Sequence, residues 1–301
     1  MKAETPPAPR VVPVPPRPAA PPAGRGRRGR HPLRWLVLLI TLAVAAVMLA
    51  PFLLLVLNAF RTSTDYSTHG PLSWPTAFTA DAFSRYLSLV DFPRALVNSV
   101  LISGTVAFLG AALSLISAYA IGIGKVRCSG AILAVLLLAT MVPQEALIYP
   151  LFYGAENTGL LNSVWSVVIV FTVLQAAFGT YLLASVMTTL PKELLEAAVL
   201  DGASRWQILR QVVFPILRPT LSVLVVFFFI WTWNEFYLPL ILLNDPSAQT
   251  VPIALATLRG QHSIDITVLN AGSLLSLLPT LVFFLVFQRT LSRGVTAGAV
   301  K

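Results

Sequence analysis

Four polar residues fall inside otherwise apolar stretches: Glu145, flanked by Pro143 and Pro150, then Gln175, then the adjacent pair Asn234 and Glu235. Polar groups are costly inside a bilayer, so these positions mark candidate sites. Trp231 and Trp233 stand beside the Asn–Glu pair. Indole faces offer stacking surfaces while amides and carboxylates hydrogen-bond polar groups, a combination that suits a ligand path. The same residues also suit a structural use. Tryptophans anchor helices at the membrane interface, and amides join helices by hydrogen bonds.

Other chemistries find no support. A phosphate-binding loop needs G-x-x-x-x-G-K-[ST]. The Gly124-Lys125 pair is followed by Val126 and preceded five positions earlier by Tyr119, so it fails at both ends. His31, His69 and His262 are far apart and form no ligand spacing. With Cys128 as the one cysteine, no intramolecular disulfide forms. Neither histidines nor paired carboxylates stand at catalytic spacing within the apolar runs.

The elements that must position these residues follow from composition. Of 301 residues, 56% are hydrophobic and 11% charged. A soluble domain carries about 25% charged residues, so this chain has too little charge to coat a water-facing globule. Its apolar runs are long enough to cross a bilayer core of roughly 30 Å. They are continuous rather than alternating, which excludes a transmembrane barrel. The expected fold is an all-α membrane protein with six spans, at about 35–57, 97–123, 130–151, 164–187, 220–243 and 268–287. Residues 34–301 are expected to be one transmembrane domain. Gly110, Ser114, Ala118 and Gly122 recur every fourth position in the second span. Small residues at that spacing allow close helix approach, within the bundle or at a subunit contact.

Residues 1–33 are rich in proline, alanine and arginine and are expected to be a disordered or polyproline-like tail. Its RGRRGR run suits either contact with anionic lipid or a topogenic charge block. The net charge of +9 is segregated. Only Arg61, Arg85, Arg94 and Arg259 of the 21 basic residues fall on one side of the expected membrane. The positive-inside rule then places both termini and the 189–218 loop in the cytoplasm, and the segregation fits membrane orientation better than nucleic-acid binding.

That loop is polar for a physical reason. Pro191 suits a helix's first turn, and Glu193 and Glu196 lie where the helix dipole favours negative charge. The helix is expected to end near Asp201, with Gly202 taking a left-handed turn. Ser204 and Gln207 form a capping box for a second helix. Ile208, Leu209, Val212 and Val213 give it an apolar face. Pro215 and Pro219 are expected to break it before the fifth span. Ala197 and Ala198 leave a small surface beside Glu196, which suits either a partner's groove or a lipid surface.

EAAVLDGASRWQILRQVVFPILRP, from Glu196 to Pro219, resembles the EAA loop of bacterial ABC importer permeases. It carries Glu196-Ala197-Ala198, Gly202 and Phe214-Pro215, with Phe214 in place of the usual aliphatic residue. FPRALVNS, GLLNS, WTWNEFYLPLILLND and the ending RGVTAGAVK are similar to the carbohydrate-importer branch. The resemblance covers nearly all of residues 35–301. It implies that the loop is a coupling helix docking on a separate ATPase. There Glu196, Ala197, Ala198, Asp201, Gly202 and Pro215 would serve the contact. A second contact would be the C-terminal stretch with Gly294, Thr296, Ala297, Gly298 and Lys301. It implies two ATPase copies, a sister permease, a solute-binding protein and surrounding lipid as partners. The chain itself would bind no cofactor, ATP and Mg²⁺ being used by the ATPase. The substrate implied is a di- or oligosaccharide or related glycoside. The WNEF pattern recurs in the branch with varied substrates, which argues for architecture over selectivity. The alternative function is an ion-gradient-driven secondary transporter, which would show inverted repeats of broken helices; no clear repeat is present.

Overall fold

A computed structural model describes residues 32–124, 126–261 and 265–299, with side chains described for 34–124, 126–258 and 265–289. The expected tail, through residue 31, lies outside the described residues. No strand occurs among them. An apolar run that crosses lipid must satisfy its own backbone, and the helix does so.

The helices follow in order. They are α1 (Pro32–Ala59), α2 (Ser63–His69), α3 (Asp81–Leu89), α4 (Phe92–Gly122), α5 (Ser129–Thr140) and α6 (Ile148–Asn157). Then come α7 (Val164–Met187), α8 (Lys192–Leu200), the single turn α9 (Arg205–Gln207) and α10 (Phe214–Trp233). The last three are α11 (Tyr237–Leu242), α12 (Val251–Gln261) and α13 (Ile266–Ala299). Among the described residues, five stretches are long and apolar enough to cross a membrane: Arg34–Ala59, Phe92–Gly122, Val164–Met187, Arg205–Trp233 and Ile266–Arg289.

The third expected span, 130–151, is not one rod. Its two halves, Ser129–Thr140 and Gln144–Asn157, meet at a 93° bend. Pro143 is the cause: it has no N–H, and it drives the residue before it out of helical geometry. The fifth span departs in the opposite sense. The helix runs unbroken from Arg205 to Trp233 through Pro215 and Pro219, correcting the expected break. A π-helical turn at Ile208–Val213 absorbs the strain, and the Phe214 N–H bonds five residues back to Leu209. The expected extent of 220–243 is also corrected, because the chain breaks at Asn234–Phe236 before α11.

At the heart of the bundle α4, α7 and α10 pack together, and small residues decide how closely. Gly110, Ser114 and Ala118 are buried. A Cβ on Gly110 would sit 3.1 Å from Phe228, and one on Gly122 would sit 3.5 Å from Met187. Gly179 of α7 is tighter still, since a Cβ there would overlap Ser114 and lie 2.9 Å from Phe228. The small-residue stripe is therefore filled from within the chain. At the far end, α3 docks on α13, with the Tyr86 ring against Gly272, where any side chain would collide.

Candidate functional site

Pro191 immediately precedes α8, and the Gly202 N–H closes the helix onto the Val199 carbonyl at 3.0 Å. Gly202 has φ of +75°, a conformation that costs a side-chain-bearing residue but not glycine. Two residues on, the Ser204 hydroxyl accepts from Gln207 N at 3.3 Å while the Gln207 side chain accepts from Ser204 N at 2.7 Å. Both orphan donors are thereby satisfied and the next helix begins at once.

The loop has two different faces. Inward, Leu195, Ala198, Ala203, Ile208, Leu209 and Val213 pack on Leu183, Ala184 and Met187 at the end of α7. Outward, Glu196, Ala197, Asp201 and Gly202 are exposed. Among the described residues Glu196 makes no ion pair. Leu194, Val199 and Trp206 are also exposed, and Leu200 is 86% exposed. Pro215 is exposed on the helix beyond. Gly294, Thr296, Ala297 and Gly298 lie on the helical backbone of α13. Their side chains, and Lys301 altogether, lie outside the described residues.

Of the polar residues in the spans, the structure joins some and separates others. Gln175, only 5% exposed, donates to Thr232 Oγ1 at 2.7 Å, tying α7 to α10. Its Oε1 is buried without a partner. Gln175 lines a groove of about 740 Å³ between α4, α5 and α7, shared with Phe178 and Trp231. Trp231 meets Phe178 edge-on at 5.9 Å and, with Asn234, lines a second groove of about 520 Å³. Trp233 points the other way: it is buried and stacks on Phe229 at 5.8 Å, so its face is not open to a ligand in this conformation. The Asn234 side chain donates to Ile230 O at 2.7 Å, capping α10. Glu145, exposed in the short helical turn after Pro143, comes within electrostatic range of Glu235.

A polar cluster at the opposite end was not read from the sequence. Arg61 is fully buried, yet every guanidinium nitrogen is used. Nε donates to Asp65 Oδ2 at 2.7 Å, Nη1 to Gly70 O at 2.9 Å, and Nη2 to Ser73 Oγ at 2.9 Å and Asp65 O at 3.1 Å. Asp65 also accepts from Thr76 Oγ1 at 2.8 Å and faces His69 Nδ1 at 2.9 Å. The hydrogen bond from Arg61 holds the Asp65 carboxyl well below the usual range, at about 2. Nearby, Arg85 pairs with Asp265 at 2.6 Å, joining α3 to the start of α13. The available signal was an Arg and an Asp four residues apart, directly after an apolar run.

The helical bundle, with its broken spans and a folded, half-exposed loop, is that of a multi-pass membrane transport subunit. Over residues 110–296 the sequence matches the family described as the inner membrane component of binding-protein-dependent transport systems, and the chain belongs to that family. It is a transport-system permease subunit and a multi-pass protein of the inner membrane. One similar protein is the melibiose/raffinose/stachyose import permease protein MelC of Bacillus subtilis, 26% identical with 88% of this chain and 96% of that one covered. Another is the trehalose/maltose transport system permease protein MalG of Thermococcus litoralis, 29% identical with 89% and 97% covered. A crystal structure of a bacterial ABC transporter that imports the acidic polysaccharide alginate has a chain of the same fold. Its TM-score is 0.70 at 20% identity, covering 86% of this chain and 96% of that one.

Proposed function

We propose that this chain forms part of the translocation path for a di- or oligosaccharide or related glycoside and takes its energy from a separate ATPase docked on the α8 loop. The observation that carries the reading is the division of labour within that loop. One face is seated on the bundle, while the other presents Glu196, which makes no ion pair among the described residues, beside exposed Leu200, Val199 and Trp206 around the Gly202 turn. A surface that sets charged side chains among exposed apolar ones is suited to a protein groove. On this reading Glu196 pairs with a basic group of the ATPase, Ala197 and Ala198 admit close approach, and Asp201, Gly202 and Pro215 fix the loop's shape. The sugar assignment rests on the relatives, which are sugar-import permeases.

The remaining partners follow from the same resemblance. They are two ATPase copies using ATP and Mg²⁺, a sister permease completing the path, and an external solute-binding protein meeting the end that carries α2 and α3. The C-terminal stretch from Gly294 to Lys301 makes a second ATPase contact. Both termini and the loop lie on the cytoplasmic side, a placement that the segregation of basic residues supports. ATP binding and hydrolysis favour different ATPase conformations, and the loop passes that bias to the bundle.

The test is purification of the tagged chain from its native membrane. Copurification of an ATPase, with ATP-dependent uptake of melibiose, raffinose, trehalose or maltose into proteoliposomes carrying the binding protein, is expected. Uptake that survives without the ATPase and collapses with the proton gradient identifies a secondary transporter and overturns the proposal.

A further inference from the structure

The loop meets the bundle through a polar contact as well as an apolar one. The Tyr119 hydroxyl of α4 donates to the Arg205 carbonyl at 2.9 Å, at the first turn of the helix that becomes α10. The Tyr119 backbone is itself fixed. Its carbonyl accepts from Ile123 N at 3.0 Å and from Gly124 N at 3.1 Å, closing the end of α4. A Cβ on Gly124 would run into the Ala120 carbonyl oxygen, so this closure requires glycine. The ring packs against the buried cluster that contains Leu183, Met187 and Leu209.

The covalent route from loop to bundle is the softer one. From Arg205 it passes through one α turn, then the π turn, then Pro215 and Pro219, neither of which has an N–H to donate. Helix stretches with poorer hydrogen bonding yield before regular ones do. The Tyr119 tie is a second, lateral route into α4, which packs along α7 for much of its length.

We propose that Tyr119 is a positioning residue for energy coupling: its hydroxyl clamps the start of the second loop helix to the end of α4, so that loop displacement reaches α4 and not α10 alone. The inference rests on the coupling reading above. It assigns the ring to packing and the hydroxyl to transmission, and the two are separable by Tyr119→Phe.

Cys128 supplies the reporter, since it is exposed in the turn between α4 and α5. In the complete transporter, purified with its ATPase into nanodiscs, maleimide labelling of Cys128 is followed by the mass of this chain. It is measured without nucleotide and with ATP plus vanadate. In the wild type the labelling rate changes with nucleotide. In Tyr119→Phe the complex assembles and hydrolyses ATP, but that change falls about fivefold, as loss of one hydrogen bond predicts. Gly124→Ala, which keeps the hydroxyl but shifts the cap beneath it, gives the same loss. A full nucleotide response in an assembled Tyr119→Phe complex overturns the proposal. So does a wild type whose labelling ignores nucleotide, or a Tyr119→Phe chain that no longer assembles, which would make the hydroxyl purely structural. A wild-type complex that contains no ATPase overturns the coupling reading itself. An ATPase present with an unaltered Tyr119→Phe response overturns this inference alone.

Discussion

Arg61 and Asp65 form a buried pair at 2.7 Å, one helical turn apart, and the loop from Gly70 to Thr76 is folded around them. Asp65 is held at about 2 mainly by the Arg61 hydrogen bond, against an unfolded value near 3.9. A depressed carboxyl stabilises the fold above its unfolded pKa, and that contribution fades as pH falls toward 2. Asp65→Asn is therefore expected to melt several degrees below wild type at pH 6, with the two curves converging near pH 2. Thermal unfolding in detergent at stepped pH measures the difference.

Gly179 separates two kinds of glycine in this chain. A methyl group there overlaps Ser114 and Phe228, so Gly179→Ala is expected to cost about 1–3 kcal/mol. Gly154, in α6, has nothing within reach of a Cβ, and Gly154→Ala is expected to be neutral or to stabilise by about 0.5–1 kcal/mol. Melting of the two variants side by side checks both signs.

Gly202→Ala places a side chain at φ of +75°, at about 1–2 kcal/mol. Gly202→Asn is expected to recover part of that cost, because asparagine tolerates the left-handed region. On the coupling reading, ATPase recovered with the chain falls in Gly202→Ala and rises again in Gly202→Asn. Quantitative pull-down reads this directly.

Glu196→Gln keeps shape and removes charge from an exposed residue that makes no ion pair among the described residues. Its melting temperature is expected to match wild type, while ATPase affinity falls about tenfold. An unchanged affinity argues against Glu196 as the pairing residue.

Gln175→Leu removes one hydrogen bond to Thr232, whose hydroxyl keeps its bond to Phe228 O at 2.9 Å. It also removes the unpartnered Oε1. The stability change is expected to stay below about 1 kcal/mol. A fall in sugar uptake at unchanged stability then places Gln175 on the path, and equal uptake places it in helix packing.

How much of this was readable in advance depended on the range of the forces involved. The positions of the apolar runs, the Ser204–Gln207 box and the left-handed Gly202 are set by neighbouring residues, and they were legible. The prolines were not. Pro143 bends its span, whereas Pro215 and Pro219 sit within a continuous helix. The difference lies in the surroundings: Val213, Leu217 and Leu221 are buried and hold that helix in line despite missing N–H groups. Trp233 and Trp231 read alike in sequence, yet two positions of helical rotation send one into the core and leave the other on a groove. In sequence Arg61 stands only as one of the basic residues on one side of the expected membrane; its partners at Gly70 and Ser73 include backbone carbonyls, which any residue type supplies.

The filled stripe on α4 has an evolutionary corollary. Gly110, Ser114 and Gly122 are committed to neighbours in the same polypeptide, while Leu101, Phe108, Leu113 and Ile116 point outward on other sides of that helix. Surfaces lined by bulky aliphatic and aromatic groups accept exchange of one such group for another far more readily than a glycine contact does. After a gene duplication, each daughter copy can therefore drift on its outer flank toward a new companion while the inner lock stays as inherited.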